Sequence, residues 1–179
     1  GECAPIRRYH QTPETTAAEI KQWLDAGHDW SRDVLLQTMN AGAARNALDC
    51  SLWRLEAAER NISFAAAVGI TPHPIPTAFT LSTAKPEVMG VYAQERAGFR
   101  WLKIKLMGDG SDQARLFAIH DACPDKDLIV DANESLTEAL LEELLPVFLK
   151  CRVVLIEQPL PEGKDEALRT WQSPIPFAA

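Results

Sequence analysis

The sequence predicts an α/β protein in which residues 77–179 form a partial (β/α) barrel and residues 1–70 a truncated, mostly helical α+β segment. Three observations carry this. Thr71-Pro72-His73-Pro74-Ile75-Pro76 has prolines at alternate positions, which remove backbone donors and hold residues 71–76 extended as a linker. Beyond it, short and nearly continuous apolar runs alternate with helical patterns, the signature of a parallel sheet covered by helices. Polar residues then close successive strands: Lys103 and Lys105, Asp131 and Asn133, Glu157 and Gln158. Lys103 and Asp131 are 28 positions apart and Asp131 and Glu157 26, one strand-helix unit each. The sheet can close as an open doubly wound sheet or as a barrel. No G-x-G-x-x-G follows a strand, so a nucleotide-binding open sheet has no support. A barrel gathers polar strand ends at one mouth, where these residues fall.

Taken in order, Thr12-Pro13-Glu14 starts a helix with a capping hydroxyl and a proline at the first helical position. Ala17, Ile20, Trp23 and Leu24 follow on one face. From Ala43 to about Arg60, the residues Ala44, Ala47, Leu48, Leu52 and Leu55 make an apolar stripe, with Arg45, Asp49, Arg54 and Glu56 off it. A short helix over Phe64 to Val68 stops at Gly69. After the linker, Thr77 to Leu81 is a strand, and a helix opened by Thr83 and Pro86 runs to Gly98. Trp101 to Leu106 is the second strand, with a helix from about Asp112 to Ala122. Leu128 to Asn133 is the third strand, and Ser135-Leu136-Thr137-Glu138 reads as a capping box before the next helix. Arg152 to Glu157 is the fourth strand, Asp165 to Trp171 a helix, and Ile175 to Ala179 the start of a fifth strand.

At 46% apolar and 24% charged, the 179 residues suffice for one or two globular domains. A net charge of -7 with no basic cluster excludes nucleic-acid binding and attachment to anionic membranes by bulk electrostatics. No apolar run approaches the ~18 residues of a membrane-spanning helix. Cys3, Cys50, Cys123 and Cys151 lie far apart without C-x-x-C spacing, as expected of reduced core residues in a cytoplasmic protein. His10, His28, His73 and His120 show no metal-ligand spacing, and Arg7 and Arg8 read as solvated loop residues.

The chemistry concentrates in Trp101-Leu102-Lys103-Ile104-Lys105-Leu106. Side chains two apart in a strand share a face, so Lys103 and Lys105 project together, opposite Leu102, Ile104 and Leu106. Neighbouring ammonium groups lower each other's pKa, favouring a neutral amine that accepts a proton; the alternative is an edge strand guarded by lysines. Asp131 and Glu157, closing apolar strands, need a cation: either magnesium, which suits hard oxygen ligands, or the two lysines as salt-bridge partners. Thr80 and Ser82, near the end of the first strand, line the same mouth or bond to backbone.

Lys103-Ile104-Lys105, Ile129-Val130-Asp131-Ala132-Asn133-Glu134 and Ile156-Glu157-Gln158-Pro159-Leu160 together resemble the enolase superfamily, in its muconate-lactonizing-enzyme-like subgroup. Combined with Ala43-Ala44-Arg45-Asn46-Ala47-Leu48-Asp49-Cys50 and Pro161, the pattern is most similar to the dipeptide epimerases, whose typical activity is on L-Ala-D/L-Glu. The resemblance implies that Lys105 is an acid/base on one face of a small dipeptide substrate. Lys103 would lower its pKa and stabilise developing negative charge, Asp131 and Glu157 would bind Mg2+, and Asn133 would line the site. An α-proton beside a carboxylate is so weakly acidic that a lysine removes it only when a metal holds the resulting enediolate. Inversion also needs a second acid/base on the opposite face. In the family, a β-meander precedes the part matching Gly1, while a third metal ligand and the opposing lysine lie on strands beyond Phe177-Ala178-Ala179. The chain therefore reads as an internal fragment, expected to be inactive alone. Cycloisomerase, dehydratase and amino-acid racemase reactions share this half of the site. A half barrel with open strand edges also invites a different reading, a non-catalytic binding protein or homo-oligomer.

Overall fold

A hydroxyl and a proline fix the first helix. The computed structural model describes residues 1–178. In it Thr12 caps α1 (Pro13–Asp25): its Oγ1 accepts the Thr15 N–H at 3.2 Å, and the Thr15 hydroxyl accepts the Thr12 N–H at 2.9 Å. The buried residues of α1 are Thr16 and Trp23, whereas Leu24, expected on the same face, is exposed. The Trp23 indole decides this orientation by donating to Thr38 Oγ1 at 2.9 Å and packing with Leu35, Leu48 and Leu52. Thr38 belongs to α2 (Arg32–Thr38), capped by Ser31, an element too short for its periodicity to be read from sequence. Along α3 (Ala43–Glu59), Ala44, Ala47, Leu48 and Leu52 are buried as expected, and Leu55 is exposed. After α4 (Phe64–Ala67), Gly69 takes a left-handed φ of 70°, and the Ile70 N–H donates to the Ala65 carbonyl at 2.9 Å. Gly1–Pro74 forms one compact unit and the chain from Ile75 a second. Among the described residues the first unit contains helices and no strand.

The second unit alternates β1 (Ala78–Leu81), α5 (Pro86–Glu95), β2 (Trp101–Lys105), α6 (Asp112–Ala122), β3 (Asp127–Asp131), α7 (Glu138–Lys150), β4 (Val153–Glu157), a 3-10 turn at Asp165–Thr170 and β5 (Phe177–Ala178). All neighbouring strands pair in parallel, in the order β1-β2-β3-β4-β5. A doubly wound sheet reverses its strand order at a switch point; this one never does. With right-handed crossovers at each step, the helices fall on one face and the sheet curls as a partial (β/α) barrel. Leu102, Ile104, Leu128, Val130 and Ile156 point to that face and form one core with Met89, Ala93, Leu116, Ile119, Leu141 and Phe148 of the three helices. Gly90 permits close packing of α5 on α6: a Cβ there would lie 2.9 Å from the Ala118 carbonyl oxygen.

Two local expectations change. Thr137, not Ser135, caps α7, its Oγ1 accepting the Leu140 N–H at 3.2 Å. Ser135 is held in the preceding loop, where its N–H donates to the Ala132 carbonyl at 2.9 Å. The segment at Asp165–Thr170 is 3-10 rather than α, and Ala179 lies outside the described residues. The four cysteines are free, and burial pushes the Cys151 thiol up to about 11, the state of an inert core thiol. Among the described residues no helix is long and apolar enough to cross a membrane.

Candidate active site

Register brings the polar strand ends together. Thr80 pairs with Lys103, Lys105 with Asp131, and Asp131 with Glu157, so these side chains share the concave face opposite the helices. The ladder continues past the strand ends: Leu106 N–H donates to the Asp131 carbonyl at 2.9 Å, Ala132 N–H to that of Glu157 at 3.0 Å, and Gln158 N–H to that of Ala178 at 2.6 Å.

Asp131 is the centre of the network. Its Oδ2 accepts from Lys105 Nζ at 2.6 Å and from Lys103 Nζ at 2.9 Å, and its Oδ1 accepts the Asn133 N–H at 3.0 Å. Lys103 Nζ also donates to Glu157 Oε2 at 2.6 Å, and Lys105 Nζ to Asn133 Oδ1 at 2.8 Å. Asp131 is 1% exposed, against 22% and 36% for the two lysine side chains. Thr80 stands beside this network on the same face and is exposed.

Burial works against the ionised form of Asp131, but hydrogen bonds from Lys105 and Lys103 outweigh it and hold the carboxyl below its usual range. For Lys103 the sequence expectation reverses. Burial favours the neutral amine, yet the hydrogen bonds and charges of Glu157 and Asp131 prevail and raise its pKa, because carboxylates stand between the two cations. The loops above are held in left-handed backbone at Asn133 (φ 44°), Glu134 (φ 67°) and Gln158 (φ 43°). Non-glycine residues in that region are uncommon and gather where surrounding contacts over-determine them, often at functional sites.

Sequence reasoning found Lys103, Lys105, Asp131, Asn133 and Glu157, which one network joins. It assigned Gln158 no contact, although Asn133 Nδ2 donates to Gln158 Oε1 at 3.4 Å. It also missed an ionic clamp directly after Lys105. Arg115 donates to both oxygens of Asp109 at 2.8 and 2.7 Å and to Asp112 Oδ1 at 2.8 Å. The spacing of Asp112 and Arg115 at i and i+3 on a helix start was the available signal. Hydrogen bonds from Arg115, and next from the Ser111 N–H, lower the Asp109 carboxyl to about 2. With an unfolded value of about 3.9, the stabilisation by Asp109 is complete above about pH 4 and disappears as pH falls through about 2. Thermal melts of wild type and Asp109→Asn should therefore converge between about pH 4 and pH 2; a gap that stays constant over that range would refute the linkage.

The family described as enolase C-terminal domain-like matches residues 89–179. An L-Ala-D/L-Glu epimerase of Escherichia coli is 38% identical over 185 aligned residues, covering 100% of this chain and 57% of its own length. An N-acetyl-D-glutamate racemase of a Pseudoalteromonas species is likewise 38% identical, over 99% of this chain and 57% of its own. A crystal structure of an enolase family member from Agrobacterium tumefaciens, with homology to dipeptide epimerases and with bound sodium and L-Ala-L-Glu, superimposes with a TM-score of 0.89 at 40% identity. It covers 99% of this chain, which spans 55% of that protein. The chain thus spans little more than half of the proteins it matches. The family model spans more than half of the chain, and the Escherichia coli relative is 38% identical along all of it: this chain belongs to the enolase C-terminal domain-like family.

Proposed function

We propose that the protein carrying this chain epimerises a dipeptide of the L-Ala-D/L-Glu type by magnesium-dependent abstraction of an α-proton. The observation that carries the reading is the convergence of Lys103, Lys105, Asp131, Asn133 and Glu157 on one concave face. Residues 1–70 are then part of a capping domain, 71–76 a linker and 77–179 the first half of a barrel. The protein is proposed to be cytoplasmic and to form a homo-oligomer.

The donor set supports magnesium in kind. Asp131 and Glu157 are hard oxygen donors in register on adjacent strands, and magnesium uses one or two carboxylates with water and substrate oxygens. Among the described residues no group of three or more His, Cys, Asp or Glu is placed to hold a metal; in the protein carrying this chain a third ligand from a later strand, with substrate and solvent oxygens, would complete the shell. Bound there, magnesium would neutralise charge gathering on the substrate carboxylate.

Lys105 moves the proton. Its neutral amine takes the α-hydrogen as a proton, the N–H bond forming as the Cα–H bond breaks and the electron pair passing toward the carboxylate. Lys103, an ammonium beside Glu157 and Asp131, is a fixed positive charge beside the charge that develops. Return of the proton by Lys105 restores the starting configuration. Inversion requires an acid on the opposite face, a role assigned to no residue of this chain, and the 179-residue chain alone is proposed not to invert its substrate. Asn133 and Thr80 line the substrate's approach.

Both named relatives act on glutamate whose α-amine is acylated, by alanine in one and acetate in the other. Their equal identity to this chain favours a second reading, racemisation of an N-acyl amino acid. Proton NMR in heavy water tests both. With the complete protein that carries this chain, magnesium and L-Ala-L-Glu, the glutamate α-proton signal should fade, and chelation should stop the loss. Exchange of N-acetylglutamate at a higher kcat/KM would favour the racemase reading, and no exchange of either substrate would sink the proposal.

A further inference from the structure

The loop that follows Lys105 is tied down more tightly than a connecting loop requires. Asp112, at the first turn of α6 and 3% exposed, accepts the Met107 N–H with both oxygens at 3.1 Å and the Gly108 N–H with Oδ2 at 2.8 Å. Gly108 has a φ of 64°, and a Cβ there would lie 2.6 Å from the Ser135 carbonyl oxygen, so this loop sits directly against the loop that carries Asn133. Arg115, 8% exposed, ties Asp112 to Asp109 and donates from Nε to the Ala84 carbonyl at 3.1 Å. The residue before Ala84 reaches the lysine strand from the other side, Thr83 Oγ1 donating to the Lys105 carbonyl at 3.5 Å. One guanidinium therefore joins the β1-α5 loop, the β2-α6 loop and the start of α6, the segments that flank the Lys105 backbone.

We propose that Asp112 and Arg115 are positioning residues for Lys105, fixing the strand end from which its amine addresses the substrate. The inference rests on the acid/base role given to Lys105. Neither residue is on the concave face: Asp112 spends its carboxylate on loop amides and Arg115, and Arg115 spends four of its five donors on the loops and Asp112. Backbone placement matters because a misplacement of about 1 Å at a reacting group lowers a rate about a hundredfold.

The test compares Asp112→Asn and Arg115→Lys with Gly90→Ala, a control that disturbs the packing of α5 on α6 at Ala118 and leaves the hydrogen bonds of the clamp in place. α-Proton exchange of L-Ala-L-Glu is measured in each, in the complete protein that carries this chain and at a temperature where melts show all of them folded. In both clamp variants kcat should fall about a hundredfold while KM stays within about threefold, the pattern of lost transition-state positioning. Gly90→Ala should keep kcat within about threefold of wild type. Amide hydrogen exchange supplies a readout independent of activity: Met107 and Gly108 should exchange faster in the clamp variants, with Val130 and Ile156 unchanged. Clamp variants with wild-type kcat, or a control that falls equally, would overturn the proposal. Should wild type itself exchange no substrate, the role of Lys105 is what fails. Protection of Met107 and Gly108 unchanged in the clamp variants would then overturn the positioning claim as well.

Discussion

Lys105→Met should reduce α-proton exchange by about a hundredfold to ten-thousandfold, the range associated with removal of a general acid or base, and leave KM for the dipeptide nearly unchanged. Methionine keeps most of the stem and removes the proton acceptor. The fold should tolerate the change: Lys105 is 36% exposed, and Asp131 retains Lys103 at 2.9 Å as a counter-ion. Lys103→Met gives the contrast, since it leaves the base and removes a fixed positive charge, so kcat should fall while some exchange survives. NMR exchange rates separate the two variants. Exchange by Lys105→Met above about one-hundredth of the wild-type rate would take the acid/base role away from this residue.

Asp131→Ala should have the second largest effect, on stability and cation response together. Asp131 is 1% exposed and receives both ammonium groups on one oxygen and the Asn133 N–H on the other. Its removal leaves the Asn133 N–H without its acceptor and each ammonium with one remaining partner, Glu157 for Lys103 and Asn133 for Lys105. Breaking a buried pair costs about 3–5 kcal/mol, but Lys103 and Lys105 are partly exposed and able to turn toward water, so about 2–3 kcal/mol is expected. The second effect is a lost response to magnesium. A cation at about a hundred times its Kd stabilises the folded state by about 2.7 kcal/mol, a shift that thermal melts at millimolar magnesium should show in wild type and not in Asp131→Ala. Equal shifts in both proteins would remove Asp131 from the metal site.

Legibility from the sequence depended on where each interaction is written. The strands of the second unit and the residues closing them were legible because alternation, capping and prolines are local, and so was the shared face of Lys103 and Lys105. The absence of α2 from the sequence reading has an equally local cause, since seven residues carry too little periodicity. The facing of α1 was settled elsewhere, by the bond from Trp23 to Thr38 on another helix. At the site, residue types and strand positions were legible, but the interposed carboxylates were not. They reverse the expected effect on Lys103 because charge depends on three strands meeting, not on the lysine spacing alone. The clamp of Asp109, Asp112 and Arg115 escaped for a similar reason, its acceptors serving backbone amides that any residue type supplies.

The unbroken strand order has a kinetic consequence. Paired residues are separated by 21 positions (Glu157 to Ala178) to 26 (Asp131 to Glu157), so each new strand closes a loop of nearly the same length. Closure entropy grows only with the logarithm of loop length, and these differences amount to about 0.2 kcal/mol. Topology therefore ranks no pairing ahead of another. The order in which strands assemble is left to side chains, and the two central strands, with Leu102 and Ile104 on β2 and Leu128 and Val130 on β3 almost wholly buried, gain by docking early.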